Sequence, residues 1–217
     1  MSFLITTICS FTGIIPLIIG IKKYKFLCKQ EPIFFNYLII SFAVEVLARY
    51  FIWNMHIDLS NYLTNFFVLY EGIIMPILLF QWGAIQRDKT YVFIFLFVSI
   101  WIADNIILHS IKHVNGLSIV VYSLFIAISS INLLLHYRNS KISTYFKQPL
   151  TILAIGLNLN YSYRAVFESL YTFKINLSNE FYLNAFYILV LLNVILNCSF
   201  TFAILQMQRK KRLYSFY

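Results

Sequence analysis

The chain has 217 residues, 60% of them hydrophobic and only 12% charged, with a mean hydropathy of +0.76. These values exclude a soluble globular domain and point to an integral membrane protein. The net charge of +9 comes mostly from Lys and Arg clusters between apolar runs, so it is not a nucleic-acid-binding patch.

Apolar runs occur in chain order at Phe3–Ile21, Ile33–Asn54, Asn61–Gly83, Tyr91–Ser110, Leu117–Tyr137, Pro149–Tyr171 and Phe181–Met207. Each is close to the roughly 20 residues that a spanning helix needs. The predicted fold is therefore all-α, a polytopic membrane protein with seven transmembrane helices. Membrane strands would alternate polar and apolar residues, whereas these runs are continuously apolar. The connections are too short to hold a second folded domain, so residues 1–207 read as one transmembrane domain and 208–217 as a basic, aromatic tail.

The first run has no charge before it and Lys22, Lys23, Lys25 and Lys29 after it, the reverse of a secretion signal, and it reads as a retained helix. Further bases follow the third run (Arg87, Lys89), the fifth (Arg138, Lys141, Lys147) and the seventh (Arg209, Lys210, Lys211, Arg212). That is thirteen on one side, against Lys112 and Lys174 on the other. The positive-inside rule then predicts an outside N-terminus and a cytoplasmic C-terminus. Trp53, Tyr62, Trp82, Tyr91, Tyr137 and Tyr182 fall where an interfacial aromatic belt is expected. Cys9, Cys28 and Cys198 suggest no disulfide framework.

Six ionisable side chains lie inside the apolar runs: Glu45, Arg49, Glu71, Asp104, Arg164 and Glu168. Charge in hydrocarbon is costly, so such residues face the bundle interior, pair with one another or mark a site. Glu45 and Arg49 in the second run, and Arg164 and Glu168 in the sixth, have the i,i+4 spacing that lets each acid meet its base on one helical face. Ser41 extends the first polar face, and Asn160 and Tyr171 flank the second. Structural glue between helices and a ligand site remain open as roles for both pairs.

Glu71 and Asp104 have no base at i±3 or i±4, which leaves two excess acids. Each either bonds a neighbour such as Asn65 or Asn105 or helps to form a proton or cation site. Together with Asn160, the six ionisable residues form the candidate ligand or ion pocket. Asn193 and Asn197 share a face of the seventh helix and read as packing amides. Pro16 and Pro76 lie mid-helix and predict kinks. His109 and His113, with His56 as a distant third, are a weak candidate for a zinc pair, because they lack the glutamate of a HExxH motif. No phosphate-binding loop, catalytic triad or cofactor motif appears.

The topology matches that of rhodopsins and G-protein-coupled receptors, but the seventh helix has no lysine for retinal, and neither Asp-Arg-Tyr nor Asn-Pro-x-x-Tyr occurs. The chain more closely resembles a family of small seven-transmembrane-helix proteins of Bacteroidetes. The resemblance rests on Ser41-Phe42-Ala43-Val44-Glu45, the approach to the third helix at Asn61–Thr64, Leu69-Tyr70-Glu71, the Pro-Leu segment at Gln148–Ile152 and an asparagine-bearing last helix ending in a basic tail. The family's glutamate–aromatic pair is replaced here by Glu71-Gly72. The resemblance implies signalling, since members occur beside sensor kinases.

The expected function is that of a receptor-like or sensory membrane protein. Its polar pocket would open outward, and a cytoplasmic or membrane partner would receive the signal at Arg209, Lys210, Lys211 and Arg212. A small transporter or channel using Glu71 and Asp104 for protons or cations is the alternative. A metal-dependent intramembrane hydrolase using Asp104, His109 and His113 is a third reading.

Overall fold

The computed structural model describes residues 7–9, 11–25, 27, 31–108, 110–114, 116–139, 144–173, 175 and 177–214; side chains at 138–139, 144–148 and 207–214 lie outside that set. A 3-10 turn at Phe11–Gly13 leads into α1 (Ile14–Lys22), followed by α2 (Pro32–Trp53), α3 (Ile57–Gln81) and α4 (Arg87–Ile102). The chain continues through α5 (Gly116–Asn139), α6 (Thr144–Thr172) and α7 (Asn179–Tyr214). α4 is prolonged by a π-helical segment, Ala103–Leu108.

Sequence chemistry marks the boundaries. Pro32 occupies the first turn of α2, where its missing N–H costs nothing. The turn from α2 to α3 is only Asn54–His56, and Met55 takes a left-handed φ of 61° to reverse the chain. Gly83 does the same after α3 with φ 80°, a conformation that glycine adopts without strain. Pro76 lies inside α3 and is buried, as is Pro16 in α1.

α2, α3, α4 with its π segment, most of α5 and most of α7 are long and apolar enough to cross a bilayer. The chain is an all-helical integral membrane protein. α6 is long enough at 29 residues, but Asn158, Asn160, Ser162, Arg164 and Glu168 lower its hydropathy. α1 is shorter than a full span. The last helix runs past the expected end at Met207 and carries the start of the basic tail as continuous helix to Tyr214.

α1 packs on α2 and α7, α2 on α3, α3 on α5, α5 on α6, and α6 on α7, which closes a ring of six helices. α4 lies outside this ring against α3 and α5. Its Tyr91, Val92, Phe95 and Leu96 are exposed, as a lipid-facing surface would be. Small residues set the close approaches. A Cβ on Gly72 of α3 would overlap the Phe97 ring of α4, and one on Gly156 of α6 would lie 2.5 Å from Ser199 Oγ of α7.

The two ends of the ring differ. We call the end bearing the α2–α3 and α6–α7 connections the upper end. In the lower half the core is mainly apolar: Phe34, Met75, Leu78, Leu79, Leu133, Leu153, Leu157 and Ile204 are fully buried, with Ser129 and Ser130 beside them. Trp82 and Tyr137, expected in an interfacial belt, belong to this core, with 4% and 9% exposure, and Tyr137 OH donates to the Trp82 carbonyl at 3.1 Å. Trp53 and Tyr91 are exposed as expected.

Just below α2, burial pushes the Glu31 carboxyl above its usual 4.5. Trp82 Nε1 meets no acceptor at hydrogen-bonding geometry among the described residues, yet it lies near enough to Glu31 to offset part of this rise.

Two predictions follow from this packing. Gly72→Ala forces a methyl group into Phe97 and is expected to cost about 1–3 kcal/mol. Thermal unfolding in nanodiscs should show the loss, and adding Phe97→Leu should recover part of it. For Glu31, the unfolded carboxyl ionises near 4.5 and the folded one at higher pH. Between the two the folded chain holds more protons, so stability falls as pH rises through that window. Melting temperatures measured against pH should show this decline in the native chain and its absence in Glu31→Gln.

Candidate functional site

The centre of the ring holds one carboxylate. Glu71 lies midway along α3 with only 4% of its side chain exposed. Its Oε1 accepts hydrogen bonds from Tyr37 OH of α2 at 2.9 Å and Tyr161 OH of α6 at 2.7 Å. Its Oε2 accepts from Tyr122 OH of α5 at 2.7 Å and from Arg164 NH1 of α6 at 3.4 Å. Four donors from three other helices thus converge on two oxygens. The guanidinium carbon of Arg164 also stands 5.4 Å from the Tyr122 ring centre, in cation–π range.

Magnitudes explain why charge is tolerated here. Withdrawing an ion from water costs several kcal/mol even after relaxation. A hydrogen bond to a charged group returns about 1.5–3 kcal/mol, so three tyrosines and a guanidinium are sufficient to offset the burial. The hydroxyls are held by their rings. Tyr122 meets Tyr161 and Phe97 edge-on at 6.0 and 5.9 Å, and Tyr37 meets Phe200 at 6.1 Å.

Above this hub lies a partly open cavity of about 280 Å³ between α2, α3, α6 and α7. Glu45, Arg49, Glu71, Asn160, Arg164 and Glu168 all line it. The lining positions fall on single helical faces. Tyr37, Ser41, Glu45 and Arg49 recur every four residues along α2, and Asn193, Asn197 and Phe200 form the matching stripe on α7. From Tyr37 at the floor to Arg49, twelve residues of helix span about 18 Å. A side chamber of about 50 Å³ continues beneath α1, bounded by Gly13, Ser41, Glu45 and Asn197. There Asn197 Nδ2 donates to Thr12 Oγ1 at 2.9 Å.

Several placements differ from the sequence reading. Glu45 and Arg49 form the in-helix pair at 3.0 Å, but Arg164 gives its ion pair to Glu71 rather than to Glu168. A tertiary carboxylate in the dry centre is the stronger partner, and Glu168, one turn higher, feels Arg164 only through space.

Asp104, expected in the pocket, does not line it. It is fully buried at the start of the π segment, where its Oδ2 accepts from the Ser118 N–H at 2.9 Å and the Ser118 hydroxyl at 2.6 Å. It therefore caps the first turn of α5 from a neighbouring helix, satisfying a donor that a helix N-terminus leaves open. Asn105 Nδ2 reaches Ser118 Oγ at 3.4 Å beside it. Asn65, offered as a partner for the acids, instead donates to the carbonyls of Ile111 and His113, and Asn61 to that of Lys112. These bonds tie α3 to the α4–α5 connection.

Asn193 and Asn197, read as packing amides, line the cavity, and Asn197 also packs against α1 through Thr12. Tyr171 is exposed against Tyr182, away from the lining. Of the weak metal candidates, His109 lies outside the described residues and the His113 side chain is exposed. No group of three metal-capable side chains occurs among the described residues. Cys9 and Cys198 are free thiols, and Cys28 lies outside the described residues. Arg209, Lys210, Lys211 and Arg212 continue the backbone of α7, with side chains outside the described set.

Tyr37, Tyr122 and Tyr161 were absent from the sequence reading. Tyr37 could have been found from its register with Ser41 and Glu45, and Tyr161 from its place three residues before Arg164. Comparison with protein-family models, curated proteins and solved structures gave no match.

The hub makes a quantitative prediction. Tyr37→Phe, Tyr122→Phe and Tyr161→Phe should each cost about 1.5–3 kcal/mol. Glu71→Ala should cost about 3–5 kcal/mol, because it leaves Arg164 uncompensated. Removing Glu71 and Arg164 together should cost less than the sum of the single losses, as a double-mutant cycle on unfolding in lipid would reveal.

Proposed function

We propose that the protein is a receptor-like sensor of the bacterial inner membrane, crossing it seven times with the N-terminus outside. The cavity between α2, α3, α6 and α7 would open outward and bind a small ligand. The supporting observation is the course of α7: this helix lines the cavity with Asn193, Asn197 and Phe200 and runs without a break into the basic segment at Arg209–Arg212. A ligand that shifts α7 would move its lower end with it, and that end would meet a signalling partner. The fully buried Leu, Met and Phe side chains beneath Tyr37 and Tyr161 favour a blind pocket over a transport path. The likeness to the seven-helix Bacteroidetes family agrees with this role and adds no mechanism to it.

Access to the cavity tests the proposal. With Cys9, Cys28 and Cys198 replaced by Ser, single cysteines at Ser41 and Asn193 should react with a membrane-impermeant maleimide added to the outside of cells. The same reagent added to inside-out vesicles should leave both unlabelled. Labelling from both faces would favour the transporter, and labelling only from the cytoplasmic face would invert the proposed topology. Absence of labelling from either face would remove the open pocket.

A further inference from the structure

The charges around the cavity are not balanced, and the imbalance has a location. Three acids and two bases line the cavity. Glu71 has four donors on its two oxygens, and Glu45 is paired with Arg49. Both guanidinium groups thus already face carboxylates. Glu168 remains: no base stands within ion-pair distance of it among the described residues, and it lines the cavity one turn above Arg164.

Two phenyl rings, Phe67 of α3 and Phe186 of α7, line the same cavity as Glu168. Phe67 is one turn above Glu71 on α3, as Glu168 is one turn above Arg164 on α6, so the 3.4 Å contact between Glu71 and Arg164 sets both at one level. Phe186 of α7 reaches the same level, since its ring lies 6.4 Å from that of Phe167, next to Glu168 in the chain. A carboxylate and two phenyl rings in the lining of one cavity suit a cation with an apolar body, which gains from charge at one end and from ring faces at the other. A divalent metal would need several oxygen or nitrogen ligands, and no group of three metal-capable residues occurs among the described residues. The volume of about 280 Å³ limits the ligand to a small molecule.

We propose that this cavity binds a small organic cation, an amine on an apolar or aromatic skeleton, with Glu168 as its counter-ion and Phe67 and Phe186 as its walls. The assignment rests on the reading of the cavity as a ligand site. Asn160 and Asn193 supply carboxamides for a polar substituent deeper in the cavity.

The test uses three probes with one skeleton and three charges, namely benzylamine, benzyl alcohol and benzoate, titrated onto the full chain in nanodiscs by calorimetry. Benzylamine should bind saturably and at least about tenfold more tightly than the other two, a factor worth about 1.4 kcal/mol. Glu168→Gln should abolish that preference, and Glu168→Asp should retain it. If Glu168→Gln does not fold, Phe186→Leu serves in its place and should reduce the ratio of benzylamine to benzyl alcohol affinity. Benzoate binding as tightly as benzylamine, a preference unchanged in the variants, or no saturable benzylamine binding would each overturn the assignment. If outside labelling at Ser41 and Asn193 persists in any of these cases, only the ligand class fails; if the labelling is also absent, the pocket itself fails.

Discussion

Three tyrosine hydroxyls and one guanidinium meet on the Glu71 carboxylate, and the order of the bundle follows from that convergence. Lipid gives helices no hydrophobic reason to associate, so polar contacts and close packing must hold them. Here one anion gathers α2, α3, α5 and α6. Losing any of these helices would leave a charge or a hydroxyl without its partner in a dry interior. α1, α4 and α7 lie outside this set of bonds; α4 is held through Asp104 of its π segment and through Trp101, whose Nε1 donates to the Asn65 carbonyl at 3.0 Å, and α7 through its Ala185 carbonyl, which accepts from Tyr163 OH of α6 at 3.0 Å, and through Asn197. The protein thus has one charged centre with separate, smaller polar contacts around it.

The hub also divides the interior by polarity. Above Glu71 the helices carry Ser, Asn, Glu and Arg on their facing sides, and the side chains do not fill the space between them. Below it the described core is mostly Leu, Met, Phe and Trp, with Ser129, Ser130 and Ser199 buried among them. A polar chamber over a mainly apolar core can hold a solute at mid-depth. The separate bonds from Asp104 to Ser118, and from Asn61 and Asn65 to the α4–α5 connection, fix the side of the bundle away from the chamber. On the other side, polar bonds run from Tyr163 to the Ala185 carbonyl and from Asn197 to Thr12.

Much of the architecture was legible in the sequence, because runs of about twenty apolar residues have one stable arrangement in a bilayer. Glu45–Arg49 was legible for an equally local reason, since four residues of helix bring the two side chains together whatever surrounds them. Arg164–Glu168 has the same spacing, yet its arginine turned to a carboxylate 93 positions away. Local spacing states which pairs can form; burial decides between competing partners. The tyrosines escaped notice because a tyrosine in a membrane protein is ordinarily an interfacial residue, and only tertiary contact distinguishes one whose hydroxyl points to a buried anion. Asp104 resembled a pocket acid for the same reason. Its role as a cap depends on the chain's return through the α4–α5 turn, which hydropathy does not encode.

The distance in sequence between Glu71 and its partners bears on how the protein is made. Tyr37 precedes Glu71, but Tyr161 follows it by 90 residues and Arg164 by 93. At about 5–20 residues per second of synthesis, α3 waits roughly 5–20 s before α6 emerges from the ribosome. During that interval the donors already made are Tyr37 and, once α5 is complete, Tyr122. α6 therefore does more than close the ring: it brings the third hydroxyl and the guanidinium that complete the donor set of a carboxylate synthesised long before.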